Sequence, residues 1–98
     1  MLADEVSGPE AERIGLVNKC VPLVEFESTT KAFAQRLAKG PTRTYALIKE
    51  LIYKSVESDL PTTLRLEGEL QDKAFETADH REGVTAFLQK RPAQYTGR

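Results

Sequence analysis

The last 20 residues hold the clearest group of side chains that could bind a ligand. They read DHREGVTAFLQKRPAQYTGR and place an aromatic, Phe87, three and four residues before two cations, Lys90 and Arg91. Residues at these spacings share one face of a helix. Such a face can hold a phosphorylated ligand. Spacing alone favours the simpler interpretation of a solvated surface, because the helix dipole favours cations in a last turn and Phe87 is a natural core contact.

The other chemistry-bearing residues do not form a catalytic or metal-binding pattern. His80 is the single histidine, so any histidine-based triad or metal site would have to be built on this one residue next to Asp79. Cys20 is the single cysteine, which excludes an internal disulfide and a cysteine-based zinc site. Glu67 and Glu69 are two residues apart on a predicted helix and therefore point away from each other. We identify no catalytic residue, no metal ligand and no cofactor, and we expect His80 to be an exposed residue of a first helical turn.

The glycines give no phosphate-binding or oxyanion-stabilising loop. The chain has 6 glycines, and they are scattered singly along the sequence. A phosphate cradle needs several backbone N–H groups brought together by clustered glycines at the start of a helix. The sequence therefore shows no complete active site.

Length and charge narrow the class of protein further. The chain has 98 residues, with 14 lysines and arginines against 15 aspartates and glutamates. This is one domain at most, and its balanced charge predicts neither nucleic acid nor anionic membrane as a partner. No apolar run approaches the roughly 20 residues that span a bilayer. Met1 opens no signal segment, so we expect a cytoplasmic protein.

Helix signals recur along the first half of the chain. Ser7 and Glu10 have the spacing of a capping box and predict a short helix at about 8–14. The β-branched segment 16–21 predicts one brief extended segment, which Pro22 ends. An amphipathic pattern then predicts a helix from about 25 to 39. Gly40 and Pro41 mark a corner between helices.

The second half predicts three more helices. Residues on one helical stripe follow the corner: Tyr45, Ile48, Leu51, Ile52 and Val56. We expect Ile48 and Leu51 to be buried, either inside the chain or between chains, together with Leu64 and Leu70 of the next helix. Asp59 is the expected N-cap of the next helix, which extends to about Thr77 and includes Leu64 and Leu70. Asp79 and Glu82 predict a capping box before the last helix, and Pro92 lies just beyond its end. The sum is a mainly α chain with about five helices and at most one short strand.

The two ends of the chain have no obvious partner for their backbone groups. We expect residues 2–6 and 95–98 to lie against another part of a larger protein or against another chain.

Four blocks in order resemble the crotonase family, the enoyl-CoA hydratases and isomerases. They are AERIGLVNKCVP, RLAKGPTRTYALIKELI, LEGELQ and the final DHREGVTAFLQKRPAQYTGR. The resemblance covers nearly the whole chain and concerns the C-terminal third of the family's fold. It implies that residues 1–22 are a remnant of the crotonase core and that residues 23–98 form a C-terminal helical oligomerisation region.

The same resemblance assigns roles to a few residues. In the family, the N-terminal two thirds carry two catalytic glutamates and two oxyanion-binding amides. No carboxylate of this chain, Glu82 included, matches those glutamates, so we expect the chain alone to be inactive. An aromatic and a lysine of the family's C-terminal segment reach the adenosine end of coenzyme A. Here these residues are Phe87 and Lys90, with Phe75 as a further candidate.

Two functions remain open on the sequence. In the first, the chain is the C-terminal part of an enzyme acting on acyl-CoA thioesters, and it contributes subunit assembly and part of the CoA site. Its partners would be an acyl-CoA substrate, when the core is present, and other copies of the chain in a dimer or trimer. In the second, the chain is a stand-alone helical oligomerisation or interaction module with no role in CoA binding.

Overall fold

The computed structural model describes residues 3–98, and this part of the chain is mainly α-helical. It contains five helices and no strand: α1 Gly8–Arg13, α2 Leu23–Ala38, α3 Thr42–Ser55, α4 Leu60–Phe75 and α5 Ala78–Leu88. The predicted fold class is confirmed. The expectation for Leu2 lies outside the described residues.

The chain divides into two compact units, one up to Phe33 and one from Ala34 onward. These two units are defined by how compactly the chain packs. The predicted boundary after residue 22 instead separates a core remnant from a helical region, and it stays a prediction.

The first unit begins with a helix whose cap is only half of the expected capping box. The Ser7 hydroxyl accepts the Glu10 N–H at 3.4 Å, and Pro9 occupies the first turn. The Glu10 carboxylate does not return to Ser7; it accepts from the Arg13 guanidinium, with Oε2 at 2.6 Å from Nε. The Glu10 carboxylate therefore pairs with Arg13, about one turn further along α1, and does not complete the capping box.

The predicted extended segment at 16–21 is wrong as a strand. The N–H groups of Leu16 and Val17 both donate to the Ala11 carbonyl, at 2.8 and 3.3 Å, so the chain folds back on α1. The Cys20 N–H donates to Oε2 of Glu12 at 2.9 Å. These donors are satisfied locally, and no neighbouring strand exists in the described part of the chain to pair with the segment.

The second unit is built on the packing of α3 against α4. Its core is Leu47, Leu70 and Ala74, with Leu51 and Leu66 packed against it. Asp59 caps α4 as predicted, since its Oδ1 accepts the Thr62 N–H at 2.8 Å. The expected corner at Gly40 is also confirmed, because α2 ends at Ala38 and α3 begins at Thr42. A β-carbon at position 40 would overlap the Tyr45 hydroxyl.

The predicted stripe of α3 is only partly buried. Leu51 packs on the core, whereas Ile48, Ile52 and Val56 are 47%, 54% and 81% exposed. Leu47, which the stripe did not include, is 8% exposed. Periodicity finds the apolar face of α3, but α4 covers only one flank of that face, so the opposite flank remains open. Over residues 3–98, each helix is too short or too polar to cross a bilayer.

Candidate functional site

The start of α5 differs from the sequence-based prediction at Asp79. Thr77, not Asp79, is the N-cap, because its Oγ1 accepts the His80 N–H at 3.0 Å. Asp79 lies inside the helix and is only 2% exposed. Both residue types cap helices well. The carboxylate of Asp79 is engaged elsewhere, with the end of the chain.

Asp79 binds the last residues of the chain. Its Oδ1 accepts the Thr96 N–H at 2.7 Å and the Thr96 hydroxyl at 3.3 Å, and its Oδ2 accepts the Gly97 N–H at 2.8 Å. The Asp79 N–H in turn donates to the Arg98 carbonyl at 3.1 Å. The buried carboxylate is therefore fully satisfied by tail groups, as a buried charge must be.

Glu82, one turn further along α5, makes a second anchor. Its Oε1 and Oε2 accept from Nη1 and Nη2 of Arg91 at 2.6 and 2.9 Å, and Oε1 also accepts the Gln94 N–H at 2.8 Å. Residues 91–98, which we call the strap, thus run back along α5. The expectation that residues 95–98 have no local partner is wrong.

The Glu82 carboxyl stays ionised well below neutral pH. The Arg91 guanidinium and the Gln94 N–H lower the pKa of the Glu82 carboxyl from 4.5 to about 2. The bidentate contact fixes the orientation of the Arg91 guanidinium as well as its distance from the Glu82 carboxylate. The start of the strap is therefore anchored at neutral pH.

The end of α5 places Lys90 outside the helix. Gln89 is the C-cap, and Lys90 follows with a φ of 52°, in the left-handed region. The Lys90 N–H donates to the Phe87 carbonyl at 3.1 Å, and the Arg91 N–H donates to the Ala86 carbonyl at 3.0 Å. These two bonds are those of a Schellman motif. The prediction that Phe87, Lys90 and Arg91 share a helical face is therefore wrong.

The actual arrangement still leaves both side chains exposed near the end of α5. Phe87 is 82% exposed on the last turn of α5, and Lys90 is exposed on the turn that follows. Within residues 3–98 the Lys90 ammonium has no ion-pair partner, whereas Arg91 is committed to Glu82. The structure thus separates the two predicted cations into one available group and one structural group.

An open groove of about 360 Å³ lies beside α5 within the second unit. Its lining is mostly apolar and includes Pro41, His80, Val84, Phe87, Leu88 and Tyr95. Of the three residues expected to bind CoA, Phe87 alone lines this groove. Phe75 lies outside the lining and packs its ring on His80, with 4.8 Å between ring centroids. Lys90 stands past the end of the helix that carries Phe87.

His80 is exposed, as expected, and it does not belong to a metal cluster. In the part of the chain that the structure describes, no three histidine, cysteine or acidic side chains converge as metal ligands.

The anchors of the strap were missed by reasoning from the sequence. The available signal was the combination of Pro92, which cannot continue a helix, with Gly97, whose φ of 77° suits a glycine. Together these residues allow the chain to fold back, and Asp79 and Glu82 face the returning segment one helical turn apart.

This helical chain is similar over its whole length to part of several known proteins. The family model described as "Enoyl-CoA hydratase/isomerase" matches residues 1–98. A protein from Rhodobacter capsulatus named "probable enoyl-CoA hydratase" is 42% identical over 100% of this chain and 38% of its own length. The 1,2-epoxyphenylacetyl-CoA isomerase of Escherichia coli is 37% identical over 100% of this chain and 37% of its own length.

The likeness extends to a solved structure. The enoyl-CoA hydratase from Geobacillus kaustophilus superposes with a TM-score of 0.84 and 38% sequence identity, over 95% of this chain and 35% of that one. The chain thus spans little more than a third of the length of the relatives that it matches. With a family model that matches every residue, the chain belongs to the enoyl-CoA hydratase/isomerase family.

Proposed function

We propose that this chain is the C-terminal helical part of an enzyme that acts on acyl-CoA thioesters, and that it contributes subunit assembly and part of the CoA site. Lys90 and Phe87 are the residues that meet the adenosine end of CoA. The observation that carries this proposal is the end of α5, which exposes the Phe87 ring and, three residues later, the Lys90 side chain, whose ammonium has no ion-pair partner within residues 3–98.

The chemistry of this turn suits the adenosine end of CoA. A phenyl ring can stack on adenine, and an ammonium can reach a phosphate oxygen in a charge-assisted hydrogen bond. Lys90 is held close to Phe87 by the bond between their backbone groups, at 3.1 Å. Phe75 is a secondary candidate because its ring adjoins His80, which lines the same groove as Phe87.

The reaction proposed for the whole protein is hydration of a 2-enoyl-CoA. The named relatives include both a hydratase and an isomerase, and this chain carries no carboxylate that the resemblance assigns to the chemical step. The helical part would act through binding and assembly. Exposed apolar side chains of α3 and α4 support the assembly role, since Ile48, Ile52 and Leu64 are 47%, 54% and 56% exposed.

A titration of the 98-residue chain tests the CoA role directly. Amide NMR shifts would be followed as coenzyme A is added, with dephospho-CoA, which lacks the 3′-phosphate, as the matched ligand. We expect weak binding in the millimolar range, with shifts at Phe87 and Lys90. An exposed contact between a cation and a phosphate contributes about 1 kcal/mol, so Lys90→Ala should weaken CoA binding about five-fold.

The control variant is Lys73→Ala, which removes an exposed lysine from α4 and should leave CoA binding unchanged. Equal binding by the Lys90→Ala variant and the unmodified chain would contradict the assignment of Lys90. A complete lack of CoA binding, together with self-association, would instead favour the stand-alone interaction module.

A further inference from the structure

The backbone of Lys90 carries an unusual conformation for its residue type. Its φ of 52° lies in the left-handed region, where a β-carbon crowds the following carbonyl. Glycine usually occupies this position of a Schellman motif, and asparagine does so less often. A strained residue persists only where its surroundings hold it, and such residues concentrate at functional sites.

Hydrogen bonds hold this turn both to the end of α5 and to the start of the strap. On the α5 side, the Lys90 and Arg91 N–H groups bond to the carbonyls of Phe87 and Ala86. On the strap side, Arg91 and Gln94 are both bound by Glu82, through three contacts of 2.6 to 2.9 Å. Lys90 is thus the last residue before a segment that one carboxylate fixes to the helix.

We propose that Glu82 is a positioning residue for the ligand-binding turn: by holding Arg91 and Gln94 against α5, it keeps Lys90 in its left-handed conformation beside Phe87. The inference rests on the proposed role of Lys90 in binding CoA, and it adds a residue that acts without touching the ligand. Glu82 is suited to this task because both of its oxygens are occupied by strap groups.

Asp79 supports the same arrangement from the other end of the strap. Its three accepted hydrogen bonds fix Thr96 and Gly97, and it is almost fully buried. Between the two anchors lies Tyr95, which lines the groove together with Phe87. The strap therefore joins the turn that carries Lys90 to the wall of the groove, and loosening its first anchor should loosen the turn first.

Two measurements on the 98-residue chain test the inference, and the first does not depend on CoA. Hydrogen exchange should show that Glu82→Gln speeds exchange of the Lys90, Arg91 and Gln94 amides at least about ten-fold, because loss of the anchor opens the turn locally. Glu67→Gln, which removes the same charge from the exposed surface of α4, should leave these amides unchanged. Unchanged exchange in Glu82→Gln would overturn the inference even if Lys90 binds CoA.

The second measurement is a double-mutant cycle on the affinity for coenzyme A. Glu82→Gln should weaken binding by up to the roughly five-fold effect of Lys90→Ala, and the double variant should bind no more weakly than Lys90→Ala alone. Additive losses would overturn the inference, since Glu82 would then act independently of Lys90. If Lys90→Ala has no effect on affinity, the CoA proposal fails, while the exchange result still decides whether Glu82 orders the turn.

A second variant tests whether the faster exchange reflects a general loss of structure. Arg91→Lys keeps the positive charge but cannot make the two-pronged contact with Glu82. It should reproduce the faster exchange of the Lys90 amide without reducing the helical circular dichroism signal. Exchange at Lys90 as slow as in the unmodified chain would count against the positioning role.

Discussion

Lys90 combines a strained backbone with an available charge, and these two properties can be separated by substitution. Glycine removes the crowding at a φ of 52°, whereas alanine keeps it. We expect Lys90→Gly to stabilise the chain by about 0.5–1 kcal/mol, which is a rise of a few degrees in Tm for a chain of this size. Lys90→Ala should leave Tm nearly unchanged.

Both of these variants should lose CoA affinity by the same factor, because each lacks the ammonium. Thermal unfolding followed by circular dichroism, alongside the CoA titration, checks the pair. A lower Tm for Lys90→Gly would show that the left-handed turn is not a source of strain.

The Glu82 carboxylate should make stability depend on pH in acid. Its folded pKa of about 2 is below the ordinary value of 4.5, so the ionised form is favoured by folding. Its contribution is fully present above about pH 4.5 and is lost as the pH falls toward 2. The difference in Tm between the unmodified chain and Glu82→Gln should be constant from pH 5 to 7 and shrink below about 4.5. A difference that grows on acidification would contradict this account.

At the scale of the elements, two glycines should respond oppositely to the same substitution. Gly68 lies within α4, and a β-carbon there would meet nothing within 4 Å. Gly68→Ala should therefore stabilise the chain by about 0.5–1 kcal/mol through helix propensity. Gly97 has a φ of 77°, and its β-carbon would lie 2.5 Å from the Thr42 Oγ1. Gly97→Ala should cost about 1 kcal/mol or more.

Urea denaturation of the two variants measures both changes, and exchange at the Thr96 amide shows whether Gly97→Ala frees the strap. If Gly97→Ala were as stable as the unmodified chain, the end of the strap would not be seated against Thr42 as the structure has it.

The elements were predictable from the sequence where the deciding contacts are local. The cap at Asp59 and the corner at Gly40 depend on residues a few positions away, and both predictions are confirmed. The sequence predicts Asp79 as the cap of α5, but Thr77 is an equally suitable cap by residue type. The choice is made by Thr96 and Gly97, 17 and 18 residues later. The sequence contains only an indirect signal for such a return of the chain, in Pro92 and Gly97.

The same limit explains the candidate site. Helical spacing predicts that Phe87, Lys90 and Arg91 share one face, and this prediction holds only for a helix that continues to Arg91. The helix ends at Leu88, Lys90 turns left-handed, and Arg91 reaches back nine residues to Glu82. The residue types that suit a phosphate ligand are therefore visible in the sequence, but the pairing of Arg91 with Glu82, which leaves Lys90 without an ion pair within residues 3–98, is not.

At the scale of the whole molecule, the open apolar side chains predict self-association. Sedimentation velocity at micromolar concentration should show a dimer or trimer, because a small monomer rarely exposes a large apolar patch. Ile48→Glu and Leu64→Glu should shift the chain toward monomer with little loss of helix, since both side chains are about half exposed in one copy. Gln71→Glu, which adds the same charge elsewhere on α4, is the control. A monomer at every concentration would contradict the assembly role.

The central claim is that this chain supplies the adenosine-binding corner of an acyl-CoA site. Its most direct test is a chimera in which the chain replaces the matching 38% of the Rhodobacter capsulatus relative, assayed for hydration of a 2-enoyl-CoA beside that intact relative. We predict that Lys90→Ala in the chimera raises KM about five-fold and leaves kcat nearly unchanged, because the lost contact binds substrate and transition state alike. An unchanged KM, or a loss confined to kcat, would contradict the claim.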